Sequence, residues 1–176
     1  SSAESQKARL AILFMDAQAG KHEAVQKGYA EIRQDALSPA ERQDLTVLAA
    51  ESHAANGHTA QAVELYRQAL AAGAEAAKIH PKLFGLLYLA QQYQNLLKLS
   101  GPGLPGLPPE LVAMARAEAF LALNQLTEAE AEARKVASGT EYSARAAFTL
   151  AQSLIRQNRL KEAAAPLEAA IHGMTH

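Results

Sequence analysis

The 176 residues contain no cysteine, which rules out a disulfide framework, thiol catalysis and thiolate metal ligands together. A chain without cysteine suits reducing and oxidising surroundings equally. An excess of one charge is missing too. Seventeen Lys and Arg oppose eighteen Asp and Glu, the formal net charge is -1, and the signs are interspersed, so no basic stripe exists to hold a phosphate backbone. Nucleic acid is not an expected partner. The longest uncharged stretch, residues 83–97, is too short to span a membrane and is interrupted by Gln91, Gln92, Gln94 and Asn95. The first residues, SSAESQKARL, show no initiator methionine, basic n-region or apolar h-region. The expectation is a soluble protein without membrane insertion, cytoplasmic, or periplasmic if a leader has been removed.

β-Branched residues are scarce, Val, Ile and Thr totalling 16 of 176, and no period-2 strand is visible. Alanine and leucine dominate instead, which favours helix. Ser38-Pro39-Ala40-Glu41 combines a capping box with proline at the first helical position, and the Thr-x-x-Glu spacing recurs from Thr127 to Glu130. Helices are expected to begin at both. Gly20, Gly57, Gly73 and Gly139 each follow an apolar helical stretch and suit the left-handed residue that ends a helix. About nine helices joined by short turns result, a spacing that suits antiparallel pairs.

The helices repeat. The shift that places Ala113 on Ala147 also places Ala117 on Ala151, Leu121 on Ile155, Asn124 on Asn158, Leu126 on Leu160, Glu128 on Glu162 and Ala129 on Ala163. A third copy lies upstream, where Ala50, Gly57, Ala62 and Ala69 occupy the slots of Ala117, Asn124, Ala129 and Val136. The pattern resembles the tetratricopeptide repeat, a helix-turn-helix unit of about 34 residues. The resemblance covers residues 44–73 and 110–172 and is weaker over 5–37. It implies an all-α solenoid of antiparallel helix pairs wound as a right-handed superhelix, with small residues at Ala50, Ala62, Ala69, Ala151, Ala163 and Ala170 allowing close packing. Two departures stand out: the family's first-helix tryptophan is absent, and Asn124 and Asn158 replace the usual turn glycine, which the tolerance of Asn for left-handed geometry permits.

Between the copies, residues 101–109 hold four of the seven prolines and three of the ten glycines. Such a loop ends any helix, because proline lacks the amide donor and clashes with the preceding turn. The expectation is one domain over 1–176, with an N-terminal half 1–100 and a C-terminal half 110–176 joined by this loop. One long irregular helix over about 81–100 takes the place of a full repeat, its second helix replaced by the loop. The apolar surplus on that helix, with Phe84, Leu87 and Tyr88, is then a candidate oligomer contact. The Pro-x-x-Pro spacings of Pro102, Pro105 and Pro108 are read as a spacer, since no Arg or Lys flanks them. Pro166 is expected to kink the last helix or delay its start.

Nothing in the sequence marks a catalytic, cofactor or metal site. Of six histidines only His172 and His176 stand four apart, with Gly173 between them suggesting a frayed end. His53 lacks a partnered nucleophile and is read as a packed or groove-lining imidazole. Glu128, Glu130 and Glu132 are read as a solvated helix face, and no phosphate-binding glycine loop is present. The chain is read as non-enzymatic, with no cofactor.

What the resemblance implies is binding of a protein or peptide segment in a concave groove lined by the first helix of each repeat. Its groove slots fall on Asp44, Val47 and Glu51, on Met114, Glu118 and Leu121, and on Arg145, Phe148, Gln152 and Arg156. The apolar members fit ordinary core packing equally well. A clamp for acidic C-termini is disfavoured at the Val47 and Glu51 slots, whereas Arg145 and Arg156 suit an acidic group. Two alternatives to an interaction scaffold of assembly, transport or secretion machinery are a self-associating homo-oligomer built through the 81–100 helix, and a chaperone of a secreted substrate resembling the three-repeat chaperones of bacterial type III secretion.

Overall fold

Five left-handed residues set the rhythm of the chain: Gly20, Gly57, Gln91, Asn124 and Asn158 all have φ between 54° and 74°. At each, the turn residue's own N–H reaches the carbonyl three residues back, and the next N–H reaches five back, as in Lys21 to Asp16 at 2.8 Å, Gln92 to Leu87 at 2.9 Å and Arg159 to Leu154 at 2.9 Å. This is the Schellman closure, which satisfies the last carbonyls of one helix and reverses the chain for the next. The computed structural model, which describes residues 2–101 and 103–174, accordingly contains ten α-helices and no strand among those residues.

The chain divides into two compact units, Ser1–Leu86 and Leu87–His176. In the first lie α1 (Ala3–Gln18), α2 (His22–Glu31), a 3-10 turn (Gln34–Ala36), α3 (Pro39–Ala55), α4 (Thr59–Ala71) and most of α5 (Ala76–Leu89). The second holds the end of α5, then α6 (Tyr93–Leu99), α7 (Pro109–Ala122), α8 (Leu126–Ala133), α9 (Ser143–Arg156) and α10 (Leu160–Met174). From α1 to α4 in the first unit and from α6 to α10 in the second, each helix packs on its sequence neighbour, and a first helix also touches the next first helix, α1 on α3 and α7 on α9. The expected small slots are filled: Ala50, Ala62, Ala69, Ala129 and Ala151 are fully buried, and Ala163 and Ala170 nearly so. Around them in the first unit, Leu10, Leu13, Val25, Ile32, Leu37, Leu45 and Leu48 form a continuous core. Gln6, also buried, accepts the Arg33 N–H at 3.0 Å and so ties down the end of α2.

Several expectations need correction. The segment 81–100 is not one long helix. It is α5, already begun at Ala76 with Pro81 in its second turn, followed by a left-handed turn at Gln91 and the two-turn helix α6. The expected second helix is therefore present, at seven residues, rather than replaced by the loop. The Pro/Gly loop follows it and anchors itself by burying Leu104, while Pro105 and Pro108 stay exposed and Pro102 lies outside the described residues.

Helix α3 begins as expected, with Ser38 and Glu41 exchanging side-chain and backbone hydrogen bonds. Thr127 caps nothing. α8 starts at Leu126, two residues after its left-handed turn, as α2, α4, α6 and α10 start two residues after theirs. Turn geometry, not a capping side chain, fixes the start of every second helix. Pro166 lies inside α10 without delaying its start. Gly173 is helical rather than frayed: a Cβ there would stand 2.8 Å from the Ala144 Cβ, so glycine is what lets α10 close on α9. His176 lies outside the described residues.

Candidate functional site

In the first unit Asp44, Val47 and Glu51 occupy successive turns of one face of α3, a spacing of three and four residues that stacks side chains along a helix. All three line a single cleft of about 400 Å³. The sequence expectation missed the rest of its wall: Phe14 from α1, and Lys78, Ile79 and Lys82 from the start of α5, along with Gln43, Leu48, Ala74 and Glu75. With α5 taken to begin near Pro81, Lys78 and Ile79 had no helix to stand on. Lys82 is bonded to Glu51, and Lys78 to Glu75 at 2.6 Å. Asp44 is exposed and has no ion pair within 4 Å among the described residues, although its charge helps hold the Lys78 ammonium above the usual lysine range, behind the larger effect of Glu75. Apolar Phe14, Val47, Leu48 and Ile79 thus form a floor, and one uncommitted carboxylate stands on the rim.

The second unit treats its groove slots differently. Met114 and Leu121 are 1% and 6% exposed and serve as core beneath α9, so they do not line a groove. Glu118 and Arg145 face each other across α7 and α9. The guanidinium reaches both carboxylate oxygens, at 2.8 and 2.9 Å. Tyr88, on the last turn of α5, closes the triad by donating to Glu118 and accepting from Arg145, its ring 5.8 Å from the guanidinium carbon. Burial and the bond to Glu118 raise the Tyr88 phenol above its ordinary pKa. Burial works against the charge on Arg145, yet Glu118 and Tyr88 outweigh it and keep the guanidinium pKa raised. Phe148 is 40% exposed, Gln152 half-buried and Arg156 exposed, with Arg156 donating to the Leu121 carbonyl at 3.1 Å. The acidic group expected for Arg145 is supplied by the chain itself.

The proposed oligomer contact is also corrected. Phe84 and Leu87 are 3% and 0% exposed, Tyr88 is committed to its triad, and only Leu89 of this stretch stands out, at 81%. A Leu87→Asp substitution would therefore bury a charge in the core rather than probe an interface.

The acidic face of α8 is not uniformly solvated. Glu128 is exposed, but Glu132 is buried between Arg116, at 3.1 Å, and Lys135, at 2.9 Å, beside a cleft of about 780 Å³ bordered by the loop residues Leu104 and Leu107. Glu130 is half-buried. Burial alone would raise its pKa, but bonds from Arg134 and Arg159, at 2.8 and 2.6 Å, hold it below the usual carboxylate range. His53 meets His58 nitrogen to nitrogen at 3.3 Å, and burial followed by the His58 charge lowers its pKa. Among the described residues no three His, Asp or Glu gather as a metal site, and no helix is long and apolar enough to cross a membrane.

Left-handed Schellman turns, paired helices and alanine contacts that recur once per pair define a helical-repeat fold of the tetratricopeptide type. Solved structures agree over nearly the whole chain. A MamA structure labelled MSR-1 superposes with a TM-score of 0.70 at 15% identity, covering 97% of each chain. A putative kinesin light chain repeat protein of Podospora anserina superposes with a TM-score of 0.61 at 17% identity, over 99% of this chain and 97% of that one. BtubC of P. vanneervenii gives 0.59 at 13% identity, over 93% and 77%. At such identities the likeness concerns the fold. The sequence matches no protein-family model and no curated protein.

Proposed function

We propose that the chain is a non-enzymatic interaction scaffold whose cleft in the first unit takes an extended or helical segment of another protein. The observation that carries this reading is the convergence of Asp44, Val47 and Glu51 on one cleft with an apolar floor. Lys82 and Lys78 neutralise Glu51 and Glu75, which leaves Asp44 as the charge available to a ligand. The segment that fits carries an apolar side chain for the floor beside a basic group for Asp44.

The test is fluorescence anisotropy with two labelled peptide sets, apolar residues flanked by lysine or arginine in one and by glutamate in the other. Wild type is expected to prefer the basic set, and Asp44→Lys to invert the preference by roughly tenfold, the effect of ~1.4 kcal/mol from one charge-assisted hydrogen bond. Val47→Asp should weaken both sets. Equal binding of the two sets, or no loss in Val47→Asp, overturns the reading.

A further inference from the structure

Nine large apolar side chains stand exposed among the described residues, and their distribution is not random: three lie on α1, five on α9 and α10, and only Leu89 lies elsewhere. Register accounts for the second group. The same shift that places Ala147 on Ala113 sets Phe148, Ile155 and Leu167 on Met114, Leu121 and Ala133. The latter three are 1%, 6% and 4% exposed, because α9 lies on α7 and α8; the former are 40%, 44% and 36% exposed, no helix among the described residues being laid on α9 and α10 in the same way. The end of the array repeats a surface that the preceding repeat buries.

The first group is the complement of that surface. Helix α9 covers α7 and α8 with the face bearing Ala146, Thr149 and Ser153, all buried, and the Ser153 hydroxyl donates to the Leu126 carbonyl at 2.6 Å. When the left-handed residues Gly20 and Asn158 are aligned, Ala8, Ala11 and Met15 take those three positions on α1. All three are exposed, Met15 at 68%, and Ile12 beside them is 55% exposed. Helix α1 thus carries, uncovered, the face with which a first helix closes on the repeat before it.

We propose that a second copy of this chain supplies the cover: α1 of one copy lies on α9 and α10 of the next, as α9 lies on α7 and α8 within the chain. The two faces differ, one belonging to a first helix and the other to the end of a pair, so the contact is heterologous and leaves a free face at each end. Such a contact propagates instead of stopping at a dimer. A polar outer face is what keeps the terminal helices of a repeat array apart, and here α1 exposes Ile12 and Met15 on that face while α9 and α10 expose Phe148, Ile155 and Leu167. Of the α1 group Phe14 belongs to the Asp44 cleft, but Ile12 and Met15, like Phe148, Ile155 and Leu167, lie outside it, so this inference and the scaffold reading fail independently.

The test is sedimentation velocity on the full chain from roughly 1 μM to roughly 100 μM, a range that brackets a micromolar contact. Wild type is expected to grow in mass with concentration without settling at one stoichiometry. The variants Ile12→Asp/Met15→Asp and Ile155→Asp/Leu167→Asp change only exposed side chains, and an unaltered circular dichroism spectrum checks their folding. Each alone should be monomeric, and an equimolar mixture should reach twice the monomer mass and stop, since it contains one intact face of each kind. A wild type that stays monomeric overturns the proposal. So does self-association of the α1 variant alone, which would mean that α10 pairs with itself, or a mixture that remains monomeric.

Discussion

Replacing Gln91 by glycine should stabilise the protein, although it removes a side chain and adds no contact. Gln91 sits at φ 54°, where an L-residue with a Cβ is strained by roughly 1–2 kcal/mol. Its side chain is exposed, so truncation costs no buried surface. Glycine relieves the strain but enlarges the unfolded ensemble, which offsets ~0.4–1 kcal/mol. The net gain is about 0.5–1 kcal/mol, or roughly 1–4 °C in melting temperature for a chain of this size. The mirror experiment is Gly57→Ala. Gly57 has φ 74° and open space where a Cβ would project, so the substitution tests backbone conformation alone and should cost about 1 kcal/mol. Urea unfolding followed by circular dichroism reads both variants. If Gln91→Gly is neutral or destabilising while Gly57→Ala is harmless, the left-handed residue is not what closes these helix pairs, and the account of the fold fails.

Gly173→Ala should destabilise by about 1–3 kcal/mol despite the better helix propensity of alanine, because the new methyl would meet the Ala144 Cβ at 2.8 Å; adding Ala144→Gly should restore part of the loss, and an unchanged melting temperature would refute the close approach. The His53–His58 pair gives a pH dependence of known sign. Since the folded state lowers the pKa of His53, the unfolded chain binds more protons, so stability is full above about pH 6.5 and falls as pH drops through and below that value. His53→Gln should flatten the acid side of a urea-midpoint profile, and a profile as steep as wild type would remove the pair as its cause.

How far the sequence speaks depends on whether a feature is carried by residue type or by backbone geometry. Gly20, Gly57, Asn124 and Asn158 announce their turns, because glycine and asparagine are the residues that tolerate φ near 60°. Gln91 makes the same turn with a residue that carries no such signal, and α6 is hidden with it. What would reveal it is position: Gly57, Gln91, Asn124 and Asn158 stand at nearly equal intervals, one helix pair apart, so the period predicts a turn at Gln91 that composition denies. Thr127 errs in the opposite direction. Its Thr-x-x-Glu spacing is a local capping signal, but the Schellman turn at Asn124, three residues upstream, has already set where the helix begins, and Glu130 is drawn to Arg134 and Arg159 instead.

The same distinction governs the groove. A repeat pattern identifies which positions face along the first helices, and at Asp44, Val47 and Glu51 that is enough, because those side chains do line a cleft. It does not say whether the next helix covers a position. Met114 and Phe148 occupy equivalent slots, yet one is core and the other is 40% exposed, and the difference lies in α9, which covers the first, while among the described residues no further first helix covers the second. Exposure in a repeat protein is therefore a property of place in the array rather than of residue type. A Phe or Ile that reads as groove in one copy and as core in the next is left exposed on α9, as Phe148 and Ile155 are.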